Sequence, residues 1–342
     1  MTGSAAGGAS RVPVVAFFNN KGGVGKTTLV YHLAWMLADR GTQVLAADLD
    51  AQANLTSAFV DETNLERYWT TGADTITAAL SPLFDGVGDV RAPTALPIAP
   101  ALHACIGDLG LSRYEDDLSA SWARCSDGDA RAFRVTSAFW RALQQAARVV
   151  AAEVILIDLG PSLGALNRAA LVAADHVVVP LGADLFSLQG LTNLGPRLRQ
   201  WRGQWRERLA RSPLAPADLP AGGMQPAGYI VLQHAIRDNR VVKAYQRWRH
   251  RIPETYARQV LDEDGWAGSV PDDPNCIGEI RHYHSLVPMA QEARKPIFNL
   301  RSADGAIGSH AVAVAQARQD FEHLAREVGR RTWARDTDRA GT

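Results

Sequence analysis

The stretch Lys21-Gly22-Gly23-Val24-Gly25-Lys26-Thr27-Thr28 constrains this chain more than any other part of it. Before it runs Val12 to Phe18, apolar and β-branched, closing on Asn19 and Asn20. After it, Leu29, Val30, Leu33 and Leu37 recur at helical spacing, and Gly41 marks the helix end. A strand, a glycine-rich loop and a helix in that order are what a phosphate loop requires. Glycines let successive backbone N–H groups curl around an anion, and the helix start adds partial positive charge. Lys26 is placed to reach the β- and γ-phosphates, and the Thr27 hydroxyl to bind magnesium. The general pattern has glycine where this chain has Asn20, and Lys21 is an additional cation inside the loop.

Carboxylates at two strand ends support the loop. Val44 to Asp50 is an apolar run that ends in Asp48-Leu49-Asp50, and Val154 to Asp158 ends in a single acid. Parallel strands aim their C-terminal ends at one edge, where ligands bind, so both acidic groups are expected to face the loop. Asp158 is the expected magnesium-side carboxylate, acting through a bound water.

Further runs at Val177 to Val179, Tyr229 to Leu232 and Ile297 to Leu300 alternate with helical stretches. The expected fold is therefore α/β, a mostly parallel twisted sheet with helices on both faces. Residues 61–150 are less regular and read as a helical insertion with one strand near Leu96 to Leu102 and a helix from Ala132 to Val150. The expected division is a disordered start at residues 1–10, one domain over 11–331, and a polar tail at 332–342.

Of the 342 residues, 46% are hydrophobic, and the formal net charge is zero, so any nucleic-acid contact has to come from a local patch. Cys105, Cys125 and Cys276 stand far apart, which argues for isolated thiols in a reducing cytoplasm rather than a disulfide framework or a zinc site. No apolar run approaches the length of a membrane span.

These residues resemble the ParA and MinD type of P-loop ATPase with a deviant Walker A loop, closest to the ParA partition branch. The variant loop Lys-Gly-Gly-x-Gly-Lys-Thr begins at Lys21, and Asp48-Leu-Asp50-Ala-Gln-Ala-Asn is similar to the family's Asp-x-Asp-Pro-Gln-Gly-Asn. Asp158-Leu-Gly-Pro-Ser resembles Asp-x-Pro-Pro-Ser, with Gly160 at the first proline and Ala51 at the proline of the earlier motif. Phe186-Ser-Leu-Gln-Gly-Leu191, and Val287-Pro-x-Ala290 running to Lys295-Pro-Ile297, also look like the partition branch.

The resemblance implies ATP and Mg2+ as cofactors, held by Asn20, Lys21, Gly22, Gly23, Val24, Gly25, Lys26, Thr27, Thr28 and Gln233. It implies Thr27, Asp48 and Asp158 around the metal, and Asp50 beside the attacking water. It implies that Lys21 crosses the interface of an ATP-dependent homodimer to the partner's nucleotide. ATP rather than GTP rests on the resemblance; no Asn-Lys-x-Asp guanine motif comes after the strand at Tyr229.

The resemblance further implies nonspecific DNA binding in the ATP state, release on hydrolysis, a ParB-like or other adaptor protein as activator, and association with the nucleoid. Arg237, Arg240, Lys243, Arg247, Arg249 and Arg251, interleaved with Tyr245 and Trp248, form the expected DNA surface. A second basic run, from Arg197 to Arg211 around Trp201 and Trp205, is either a DNA contact or a solvated helix face. The alternatives are a regulatory or defence switch acting on a protein partner, and a MinD-type membrane-positioning ATPase. The C-terminal end carries one aromatic and little else apolar, which argues against a membrane anchor.

Overall fold

The structure, a computed structural model, describes residues 11–233, 239–266 and 268–333. Eight strands form one sheet: β1 (Val14–Phe17), β2 (Val44–Asp48), β3 (Ala95–Ala99), β4 (Leu102–Cys105), β5 (Val154–Asp158), β6 (His176–Gly182), β7 (Gln225–Leu232) and β8 (Cys276–Ile280). Their order is β3-β4-β2-β5-β1-β6-β7-β8, and every neighbouring pair is parallel except β3 with β4.

The central strands are fully buried because helices cover both faces, which is why they read as unbroken apolar runs. Alternate residues of one strand serve opposite cores. Val14, Ala16 and Phe18 pack with the helices Ala138–Val149, Ala165–Ala173 and Leu185–Leu209. Val15 and Phe17 pack with the helices Lys26–Asp39 and Ser309–Thr332. The apolar stripe of that last helix, Phe321, Leu324 and Val328, is thereby buried on the domain. Among the described residues, no helix is long and apolar enough to cross a membrane.

Several local expectations need correction. Ile297 to Leu300 is a single 3-10 turn (Ile297–Asn299) and not a strand. Pro296 removes a ladder donor there, and Ile297 and Phe298 are buried as plugs against the helix Lys26–Asp39. The last strand is instead β8, missed because Gly278 and Glu279 interrupt its apolar character at the sheet edge. The expected strand near Leu96 to Leu102 is two strands, β3 and β4, joined by a tight turn. The helix expected over Ala132 to Val150 is two helices, Ala130–Thr136 and Ala138–Val149, separated at Ser137, whose hydroxyl turns back onto the Phe133 carbonyl at 2.7 Å.

Residues 61–150 thus supply two strands as well as helices. They also brace the loop after β5. Glu115, which starts the helix Glu115–Arg124, accepts the Ala165 and Leu166 N–H groups at 2.5 and 2.8 Å, capping the helix Ala165–Ala173.

Candidate nucleotide site

The C-terminal ends of β1, β2 and β5 meet at one edge, with Asp48 opposite Asp158 in register and Phe17 opposite Asp158 on the other side. The chain leaves β1 through Asn19, which is buried, donates from its amide to the Pro180 carbonyl at 2.7 Å, and accepts the Lys21 N–H at 3.0 Å. Gly23 and Gly25 have φ of 71° and 86°, values a side chain would strain. Gly25 is the N-cap of the helix Lys26–Asp39. A glycine cap offers no side chain to the first N–H groups of the helix, which stay available to an anion.

Lys26 is buried at the start of that helix, and its Nζ donates to the Lys21 carbonyl at 3.3 Å. Burial lowers its pKa, with Asp158 and Asp50 acting in the opposite direction. Thr27 Oγ1 donates to Asp158 Oδ2 at 2.7 Å. Asp158 is fully buried, and its Oδ1 has no hydrogen-bond partner among the described residues. Burial, then the neighbouring Asp48, pushes its pKa up to about 8. An orphaned buried carboxylate oxygen beside a threonine hydroxyl and a loop of N–H groups is a donor set that fits a magnesium-bound phosphate chain.

Asp48 and Asp50 divide the work at the end of β2. Both Asp48 oxygens are taken up by its own loop. Oδ2 accepts the Thr56 N–H and hydroxyl, each at 2.7 Å, and Oδ1 accepts the Asp50 N–H at 3.2 Å. Its geometry is that of a residue shaping the loop that carries Asp50, and burial raises its pKa to about 6. Asp50 is half-buried, and its Oδ1 accepts the Gln52 N–H at 3.0 Å.

A cleft of about 660 Å³ runs from the glycine loop past Asp50 to Val287, Ala290, Gln291 and Arg294. Gln233 is not part of its lining. It follows β7, and its N–H is tied to the Ile280 carbonyl at 2.8 Å. The sequence motif from Val287 to Ile297 was legible, but its place at the far end of the cleft was not. Arg294 fixes that end by donating to the Val60 carbonyl at 2.8 Å.

His32 ties the two ends together. Its Nδ1 meets the Thr28 carbonyl at 2.7 Å, so Nδ1 carries the proton, and its Nε2 accepts the Ile297 N–H at 3.1 Å. The Nε2 contact requires the neutral ring, and burial pushes the pKa down from 6.5 to about 4, with the Nδ1 bond to Thr28 acting in the opposite direction. Between these values the unfolded chain binds the proton more readily, so stability is full above the unfolded pKa and falls as pH drops towards 4. Urea unfolding at pH 7 and 4.5 is expected to give a loss of about 2 to 3 kcal/mol from this group, absent in His32→Gln.

Lys21 points away from the loop. Its Nζ pairs with Asp184 Oδ2 at 2.7 Å and lies 6.0 Å from the Phe186 ring centre, and Phe186 is 69% exposed. Asp184 is also the N-cap of the helix Leu185–Leu209, accepting the Ser187 N–H at 2.9 Å.

The two basic runs separate. In the run from Arg197 to Arg211, Trp201 and Trp205 are buried, and Arg199, Arg202, Arg208 and Arg211 donate to backbone carbonyls of neighbouring segments. Those four side chains brace the fold. In the other run, Arg237 lies outside the described residues, and so do the side chains of Arg240 and Lys243. Arg249 forms a bidentate pair with Glu279, which neutralises it. Arg247 and Arg251 are exposed and stack on Trp248 at 4.3 and 5.2 Å.

A strand-to-helix glycine loop with a buried lysine, followed by Thr27 against a strand-end aspartate, defines a P-loop nucleotide-binding protein. The family model for an AAA domain matches residues 12–210. The chromosome partitioning protein ParA of Caulobacter vibrioides is 34% identical over 202 residues, 59% of this chain and 67% of that protein. Protein IncC of Escherichia coli is 30% identical over 257 residues, 74% of this chain and 61% of that protein. Such matches span 42% to 67% of the relatives' own lengths.

Among solved structures, protein DIP2308 of Corynebacterium diphtheriae superposes with a TM-score of 0.65 at 24% identity, covering 93% of this chain and 97% of that one. Apo McdA from Cyanothece superposes with a TM-score of 0.57 at 17% identity, covering 93% and 100%. These two likenesses concern the fold. The chain belongs to the ParA family of P-loop ATPases.

Proposed function

We propose that the chain is an ATP-driven partition or positioning ATPase that dimerises on Mg2+-ATP, holds nonspecific DNA in that state and releases it on hydrolysis stimulated by an adaptor protein. The observation that carries this reading is the joint geometry of Lys26, Thr27 and the orphaned Asp158 oxygen, with a second lysine, Lys21, held outside the loop. Lys26 and the loop N–H groups bind the phosphate chain. Thr27 and Asp158 would hold the cation, which would supply charge neutralisation for the phosphate chain. Asp48 fixes the loop on which Asp50 sits, and Asp50 orients the water that attacks the γ-phosphate. The far end of the cleft, with Ala290 and Arg294, takes the base.

Lys21 exchanges Asp184 for the phosphates of a second subunit. As a flexible point charge it is suited to that exchange. Lys21→Ala is expected to bind ATP within a few-fold of the parent and to form no ATP-dependent dimer, which sedimentation with ATP and with ADP reads directly. An unchanged dimer removes the cross-subunit role.

The output is tested by binding to duplex DNA of arbitrary sequence with ATP, with ADP and without nucleotide, across a salt series. Binding only with ATP, weakening steeply with salt, is the expected result. Removing Arg247 and Arg251 together should lower the slope of log affinity against log salt by about 2. ATP-dependent dimers that never bind DNA would instead favour a switch acting on a protein partner.

A further inference from the structure

Gly160 stands where the family motif carries its first proline, and its backbone conformation is one any residue adopts, since its φ is not positive. In this chain a side chain there would meet Asp50. A Cβ on Gly160 would lie 2.9 Å from Asp50 Oδ1 and 3.2 Å from its Cγ. Neither backbone has slack. The ends of β2 and β5 are joined by the Leu49 N–H on the Asp158 carbonyl at 3.0 Å. The turn after β5 is pinned by Asn167, whose buried amide donates to the Gly160 and Ser162 carbonyls at 2.8 and 2.6 Å. On its outer side Pro161 packs against the phosphate loop, 4.0 Å from a Cβ placed on Gly22. The movable part is the Asp50 side chain, which rests on the bare Gly160 with Oδ1 on the Gln52 N–H.

On the reading of Asp50 as the group that faces the attacking water, we propose that Gly160 is a positioning residue for hydrolysis. Its missing side chain is the clearance that sets where the Asp50 carboxylate stands. A methyl group there leaves the phosphate loop and the cation site intact and displaces the carboxylate by several tenths of an ångström, enough to slow a reaction that depends on near-attack geometry. The displaced atom is the end of a flexible side chain, so folding is spared.

The test is Gly160→Ala in the full chain, alone and combined with Asp50→Ala, with Gly160→Ser as a second variant. Three quantities are read: thermal midpoint, KM against kcat for ATP, and the lifetime of the ATP-bound dimer. The expected result is a kcat lowered about tenfold, KM within twofold, an unchanged thermal midpoint and a longer-lived dimer. Adding Gly160→Ala to Asp50→Ala is expected to change nothing further. Damage to the phosphate loop would do the opposite, raising KM and shortening the dimer lifetime, and would overturn the proposal. So would wild-type or faster turnover in both Gly160 variants, or an equal loss in the Asp50→Ala background. If Asp50→Ala alone turns over normally, the assignment of Asp50 itself falls, a failure distinct from a silent Gly160→Ala beside a crippled Asp50→Ala.

Discussion

Lys26→Ala is expected to lower ATP affinity by about 100-fold or more while leaving the fold intact. The amine sits buried at the start of the helix Lys26–Asp39, and among the described residues its Nζ donates to the Lys21 carbonyl alone, at a long 3.3 Å. It is therefore desolvated and under-used until a phosphate arrives. Truncating one partner of a buried, hydrogen-bonded charge pair costs about 2 to 5 kcal/mol, and each 1.4 kcal/mol is about tenfold in affinity. The folded apo protein loses little, because burial already disfavours the charge. Calorimetric titration with an ATP analogue, alongside a melting curve, separates the two effects. Normal affinity in that variant contradicts the site.

Asp50→Ala is expected to bind ATP normally, to lose hydrolysis by about 100-fold or more, and to accumulate as an ATP-bound dimer. Water-orienting carboxylates typically contribute about two to four orders of magnitude. The side chain makes one described hydrogen bond, to the Gln52 N–H, and is half-exposed, so its removal disturbs neither core. The neighbouring acid is a contrast. Asp48→Ala removes the acceptor for Thr56 and for the Asp50 N–H and so unmoors the whole loop. Light scattering after gel filtration with ATP distinguishes a trapped dimer from a protein that never dimerises. Wild-type turnover in Asp50→Ala ends its catalytic assignment.

The glycine loop was legible because its pattern is local. Eight consecutive residues between an apolar run and a helix repeat carry it, and on the proposed reading backbone N–H groups would do most of the binding. Asp158 was legible for a related reason: parallel topology sends the end of every buried strand to the same edge. β8 and the β3–β4 hairpin were not, since edge strands with glycine, proline or a charge lack the periodic signal of buried ones. The two basic runs look alike in composition, and only their neighbours separate them. Backbone carbonyls from distant segments receive Arg199, Arg202, Arg208 and Arg211, whereas Arg247 and Arg251 face solvent over Trp248.

The class of fold and the place of the glycine loop between its strand and its helix therefore follow from the order of amino acids alone, because short-range geometry and strand polarity suffice for both. The tasks of individual side chains at that site come from long-range packing. Asp48 turned to Thr56, Lys21 turned to Asp184, the cleft end built from Ala290 and Arg294, and the room Gly160 leaves for Asp50 each depend on a partner from another element. A hydrogen bond or a steric contact is decided within a few tenths of an ångström, and that distance exists only once the sheet has brought those elements side by side.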